Sequence, residues 1–140
     1  MGELVALNGH RGYLLDTHTF LWAARNPKRL GKAARAALEA PDRRLYLSSF
    51  SAYEVARKHH IGKLDPSYAF VVENYTEVAR RLGVTDLPVT LAHAYQAGQM
   101  DWPHRDPFDR VIAAQAALEN LVLITNDAAL GVHPWVETVW

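Results

Sequence analysis

Short apolar runs alternate along the chain with longer segments of helical periodicity. Tyr13-Leu14-Leu15 reads as a buried strand, followed by a helix over 17–24 that stops before Asn26-Pro27. A second helix is expected over 31–40, ended by Pro41-Asp42, and Leu45-Tyr46-Leu47 is the next strand. Ser48-Ser49 or Ser51 caps a helix reaching about Ile61, where Gly62 ends it. The pattern then predicts one longer helix over 67–82, a strand at 84–87, a helix over 90–100 and a loop at 101–105. The segment 108–118 is apolar almost all round after Arg110, as a helix buried against a sheet should be. Strand 122–124, a short helix over 126–130 and a last strand over 136–139 complete the series. Alternation of this kind implies an α/β fold, with a mostly parallel central sheet covered by helices on both faces.

Composition narrows the picture. With 140 residues and 49% apolar positions, the chain can build one domain, read as 13–140, with residues 1–12 as a flexible N-terminal extension. The absence of cysteine excludes disulfides and thiolate zinc sites, and makes the cytoplasm the expected compartment. No segment is apolar for long enough to cross a bilayer, so no membrane partner is expected. Lys and Arg balance Asp and Glu at 15 each, which argues against nucleic-acid binding through overall basicity. Two local runs are nonetheless basic: Arg25, Lys28, Arg29, Lys32 and Arg35, then Arg57, Lys58, His59, His60 and Lys63. Solvated helix faces are the simpler reading of both.

The acids carry the chemistry. Asp16 closes the first strand, Glu54 lies early in the third helix, Asp106 and Asp109 open the helix after Pro107, and Asp127 follows the strand 122–124. In open α/β sheets, ligands bind outside the carboxyl ends of the strands, where such acids converge. Each also has a local reading. Asp16 suits a helix N-cap, and Glu54 stands four residues before Lys58, a surface-pair spacing. Asp106 and Asp109 favour the positive end of a helix, Asp106 has Arg110 within pairing reach, and Asp127 suits a turn or cap. Asp16 with His18 in place of a second Asp departs from aspartyl-nucleophile phosphatases, and no adjacent acids mark a receiver module.

Taken together, Leu14-Leu15-Asp16-Thr17-His18, Glu54-Val55-Ala56, His104-Arg105-Asp106-Pro107-Phe108-Asp109-Arg110 and Thr125-Asn126-Asp127 resemble the motifs of PIN-domain ribonucleases, in particular the VapC-type toxins of toxin-antitoxin pairs. The resemblance runs from Tyr13 to Trp140 and implies a PIN-like three-layer fold. It places the family's acids on Asp16, Glu54, Asp109 and Asp127, as metal-binding and catalytic residues. Thr125 takes the position of the hydroxyl residue before the last acid, and Asp106 belongs to a subgroup variant of the third motif with a secondary role. It further implies an RNA substrate, an antitoxin partner whose C-terminal segment covers the active-site groove, and a homodimer.

Clustered carboxylates repel one another unless a cation neutralises them, and oxygen-only ligands select hard ions, so Mg²⁺ or Mn²⁺ is expected. Such an ion makes water a better nucleophile toward a phosphodiester. Trp22, Trp102 and Tyr53 are candidates for base stacking, with core packing as the simpler alternative, and Phe20, Leu21 and Trp22 mark a candidate partner surface on the same terms. A catalytically silent PIN-like binding module, or another metal-dependent phosphohydrolase, is the competing reading.

Overall fold

The computed structural model describes residues 11–140. Within them a parallel sheet is built from β1 (Tyr13–Leu15), β2 (Leu45–Ser48), β3 (Val84–Leu87), β4 (Val122–Ile124) and β5 (Thr138–Val139), in the order β3-β2-β1-β4-β5. The first strand is central. The chain leaves it toward β2 and β3 on one side, then crosses to β4 and β5 on the other, so the switch in direction falls between β1 and β4. That is the place where open α/β sheets receive ligands.

The helices are α1 (Thr17–Arg25), α2 (Lys32–Glu39), α3 (Ser49–His60), α4 (Ala69–Glu73), α5 (Tyr75–Leu82), α6 (Leu91–Gln99), α7 (Pro107–Leu118) and α8 (Ala128–Gly131). Successive side chains of a strand point to opposite faces, and the two central strands divide their residues accordingly. Leu15 and Ile124 pack with Phe20, Leu21, Trp22, Leu45, Leu47 and Val55 on one face. Leu14 and Leu123 pack with Ile112, Ala113, Ala114, Ala116 and Leu130 on the other. Helix α7 is alanine-rich because it lies directly on the sheet, where small side chains allow a close approach. Phe20, Leu21 and Trp22 are therefore core residues rather than a partner surface, and Trp22 is held edge-on to Trp140 at 5.6 Å instead of being available to a base.

The helix expected over 67–82 is interrupted. A 3-10 turn at Pro66–Tyr68 leads into α4, and Asn74 separates α4 from α5. The Asn74 side chain donates to the Phe70 carbonyl at 2.9 Å, beside its own backbone N–H at 3.1 Å, and together they close α4. The last strand is shorter than 136–139, and α8 begins only at Ala128 because Asp127 is its N-cap. Of the segment expected as an extension, residues 1–10 lie outside the described residues. Arg11 pairs with Glu137 at 2.6 Å, and a Cβ on Gly12 would stand 2.9 Å from the Tyr46 ring. Among the described residues, no helix is long and apolar enough to cross a membrane.

Leu14 is fully buried on the central strand, so Leu14→Ala is expected to cost about 2–5 kcal/mol, read as a lowered midpoint in denaturant titration. A loss under about 1 kcal/mol would mean that this side of the sheet is not the packed core described here.

Candidate functional site

Asp16 follows β1 directly and caps α1. Its Oδ1 accepts the Thr19 N–H at 2.8 Å and its Oδ2 accepts the Thr125 hydroxyl. Thr125 comes straight after β4, and its Oγ1 also accepts the Asp127 N–H at 3.0 Å. Asp127 in turn caps α8 through Ala129 N–H at 2.9 Å. Because β1 and β4 are hydrogen-bonded neighbours, with Leu15 beside Ile124, the residues that follow them emerge side by side. Parallel pairing thus brings together two acids 111 positions apart in sequence, Asp16 and Asp127.

Glu54 reaches the same place from α3. Its Oε1 accepts the Thr17 hydroxyl at 2.7 Å and its Oε2 is paired with Lys58 at 2.5 Å; the Thr17 hydroxyl also lies 3.0 Å from that of Ser51. Asp109 arrives in the first turn of α7, with Oδ2 2.6 Å from His104 Nε2. The loop that presents His104 is held by Arg110, whose guanidinium donates to the carbonyls of Ala97, Met100, Trp102 and His104 at 2.6–2.9 Å. Arg110 is therefore a clamp on backbone oxygens and not the partner of Asp106.

Asp16, Glu54, Asp109 and Asp127 line one cavity of about 160 Å³, together with Thr17, His18 and Asn126. Larger clefts of about 410 and 430 Å³ lie elsewhere, but neither collects acids in this way. Chemistry, rather than size, marks the site. Asp106 stays outside it: the side chain is exposed and its Oδ1 accepts Phe108 N–H at 2.9 Å, which makes it the N-cap of α7 and a negative charge near Asp109. Thr125 touches the cavity's acids from behind, through Asp16 and Asp127.

Several supporting contacts were not visible in the sequence, although Ser51 could be read there as a cap and His104 stands in the third motif. Ser51 is buried beside Thr17, and His104 reaches Asp109 from an irregular loop. Tyr75, packed 5.0 Å from Phe20, has a buried hydroxyl with no hydrogen-bond partner among the described residues. Burial and the Glu54 charge both push that hydroxyl's pKa up. Lys58 had a signal, its i,i+4 spacing, but not the information that its partner would be a buried carboxylate.

The electrostatics follow from burial. Burial raises the Asp16 carboxyl above its ordinary range, against hydrogen bonds from Thr125 and Thr19 that lower it. Burial also raises Asp109, opposed by its bond to His104 and reinforced by the charges of Asp106 and Asp127. Among the described residues, no three His, Asp or Glu side chains close on a common point. The four acids offer oxygen donors only, with the His18 imidazole beside them, and include two carboxyls whose burial disfavours their lone charges, which fits a hard divalent ion bound by one or two carboxylates and completed by water.

Both raised carboxyls bind protons more tightly in the folded chain than in the unfolded one. Their contribution therefore falls as pH rises from the ordinary carboxyl value of 3.8 through the raised values. In EDTA, Asp16→Asn is expected to melt above the parent at neutral pH, since Asn caps a helix as well as Asp does, with the gain vanishing below about pH 4. Equal melting temperatures across that range would show that Asp16 carries no such burden.

Comparison with known proteins agrees with this architecture. The PIN domain family model matches residues 13–133. Ribonuclease VapC22 of Mycobacterium tuberculosis is 32% identical over 132 residues, which cover 91% of this chain and 97% of that protein. The structure of VapBC2 from Rickettsia felis bound to a promoter DNA fragment superimposes with a TM-score of 0.65 at 19% identity, covering 91% of this chain and 98% of that one. DNA-bound VapBC from Salmonella typhimurium gives 0.66 at 20% identity, with 92% and 97% covered. A parallel sheet ordered 3-2-1-4-5, acids gathered at its switch point and a match over nearly the whole described chain place this protein in the PIN-domain family.

Proposed function

We propose that this protein is a metal-dependent endoribonuclease, the toxin of a VapBC-type toxin-antitoxin pair. The observation that carries the reading is the convergence of Asp16, Glu54, Asp109 and Asp127 on one cavity, in a chain similar over most of its length to a ribonuclease. The full acid set favours an enzyme over a silent binding module.

Asp16 and Asp109 would hold a Mg²⁺ or Mn²⁺ ion, with Glu54 and Asp127 acting directly or through water. Bound there, such an ion supplies Lewis acidity toward a phosphodiester oxygen and toward water. The protein's own groups do the positioning. Thr125 fixes the Asp16 carboxylate and the Asp127 backbone together, His104 fixes Asp109, and Thr17 with Lys58 fixes Glu54. Hydrolysis adds the water oxygen to phosphorus and breaks one P–O bond, and the departing oxygen leaves with a proton. Asp127 is placed to orient the attacking water, because its backbone is tied to Thr125 and its carboxylate faces the cavity.

The partners follow from the same reading. VapBC complexes are among the structural neighbours, and an antitoxin segment lying across the acid groove would block it. A homodimer accounts for the apolar face on which Leu91 and Tyr95 of α6 are 92% and 72% exposed. Those two residues stand one helical turn apart on one side of the helix.

Purified protein is expected to cut an RNA pool with Mn²⁺ or Mg²⁺ and not with EDTA. Asp109→Asn should lower cutting by at least about 100-fold, the scale on which even indirect partners of a metal site act. Equal cutting in EDTA, or by a folded Asp109→Asn protein, would refute the assignment. For the dimer, Tyr95→Arg should convert the protein to monomers in sedimentation equilibrium, and an unchanged mass would remove α6 from the interface.

A further inference from the structure

A second cavity, of about 270 Å³, opens against the first and shares Thr17, His18 and Glu54 with it. Its floor is apolar, formed by Leu21 of α1, Val55 of α3 and Leu64 beyond α3, and its rim carries Lys58 and Lys63. The two cavities are thus joined but opposite in character: one collects carboxylates, the other has two lysines over aliphatic side chains.

The turn that builds this rim is specific. Helix α3 ends in a Schellman motif, in which Lys63 N–H donates to the Lys58 carbonyl at 2.8 Å and Gly62 N–H to the His59 carbonyl at 3.1 Å. Gly62 has φ +74°, a left-handed conformation that lets the chain reverse and carry Lys63 and Leu64 back beside α1. Lys58 is tied to Glu54, whereas the Lys63 side chain is exposed and has no ion-pair partner among the described residues.

We infer that this second cavity is a substrate subsite, which takes the nucleotide flanking the scissile phosphodiester, with Lys63 on its phosphate and the half-buried Leu64, backed by the core residues Leu21 and Val55, against its base or sugar. The inference rests on the ribonuclease reading above and deepens it. Its grounds are charge complementarity and continuity. The acid cavity by itself repels phosphate, so the strand needs cations next to it, and Lys58 and Lys63 are the cations that line the adjoining space. Grooves for single-stranded nucleic acid pair a basic track with surfaces that receive bases, and the lysines over an aliphatic floor have that make-up. Lys58 acts here as a bridge, since it neutralises Glu54 while facing the flanking phosphate.

The test reads binding without catalysis. The affinity of a short fluorescein-labelled single-stranded oligoribonucleotide is measured in EDTA across a salt series, for the parent protein, Lys63→Ala, Lys63→Glu and Lys32→Ala. The last removes an equal charge from α2, which lines neither cavity. Loss of one phosphate contact should lower the slope of log affinity against log salt by about 0.7, which near 0.1 M salt is about a five-fold rise in Kd. Lys63→Ala should show that change, Lys63→Glu a larger one and Lys32→Ala none. If the parent cuts RNA while both Lys63 variants keep its Kd and slope, the subsite is overturned and the nuclease stands; the same holds if Lys63→Glu weakens only a protein partner. If the parent neither binds nor cuts RNA, both readings fail together.

Discussion

Holding several carboxylates at one end of a sheet, where burial raises the free energy of the Asp16 and Asp109 charges, is the constraint around which the rest of this structure is arranged. Asp16 and Asp127 are N-caps, and Asp109 lies in a first helical turn, so each sits where free backbone N–H groups and the helix dipole favour negative charge. Glu54 lacks that support and has a lysine instead. The parallel sheet is the device that makes this arrangement available, because every strand delivers its chain to the same end, where the next helix begins.

The local roles of these acids and their functional roles are therefore not rivals. Asp16 and Asp127 cap helices and also line the cavity, and the second oxygen of Asp16 is held by the Thr125 hydroxyl. Glu54 forms the i,i+4 pair that its spacing suggests, and it does so 7% exposed against the cavity rather than on an open surface. Asp106 is the contrasting case: its capping bond keeps it at the exposed start of α7. Thr17, Thr125, His104 and Lys58 hold the carboxylates in place through hydrogen bonds and an ion pair. With burial disfavouring the lone charges of Asp16 and Asp109, the set is well disposed to accept a cation.

The basic residues divide in the same way. The run from Arg25 to Arg35 is exposed on α1, α2 and the turn between them, as a solvated face should be. The later run contributes Lys58 and Lys63 to the wall beside the acids. A neutral chain thereby acquires a local contrast of charge across two adjoining cavities, which a net charge of zero conceals.

Much of this was legible in the residues alone. Alternating apolar runs and helical periods determined the α/β class, and the strand ends were visible because Asp16 directly follows Leu15 and Asp127 comes three residues after Ile124, since strand length and capping chemistry are local properties. The break at Asn74 was not visible, since no local pattern marks it as the place where α4 closes, with both its backbone and its side-chain N–H on the Phe70 carbonyl. Nor was the company each acid keeps. That Thr125 would bond Asp16, that His104 would hold Asp109 while Asp106 stayed outside, and that Trp22 would be buried against Trp140 all depend on which strands lie side by side and how the loops close over them. Sequence determines the chemistry available at each strand end; strand order decides which of those ends meet, because pairing between distant segments is set by the packing of the whole sheet.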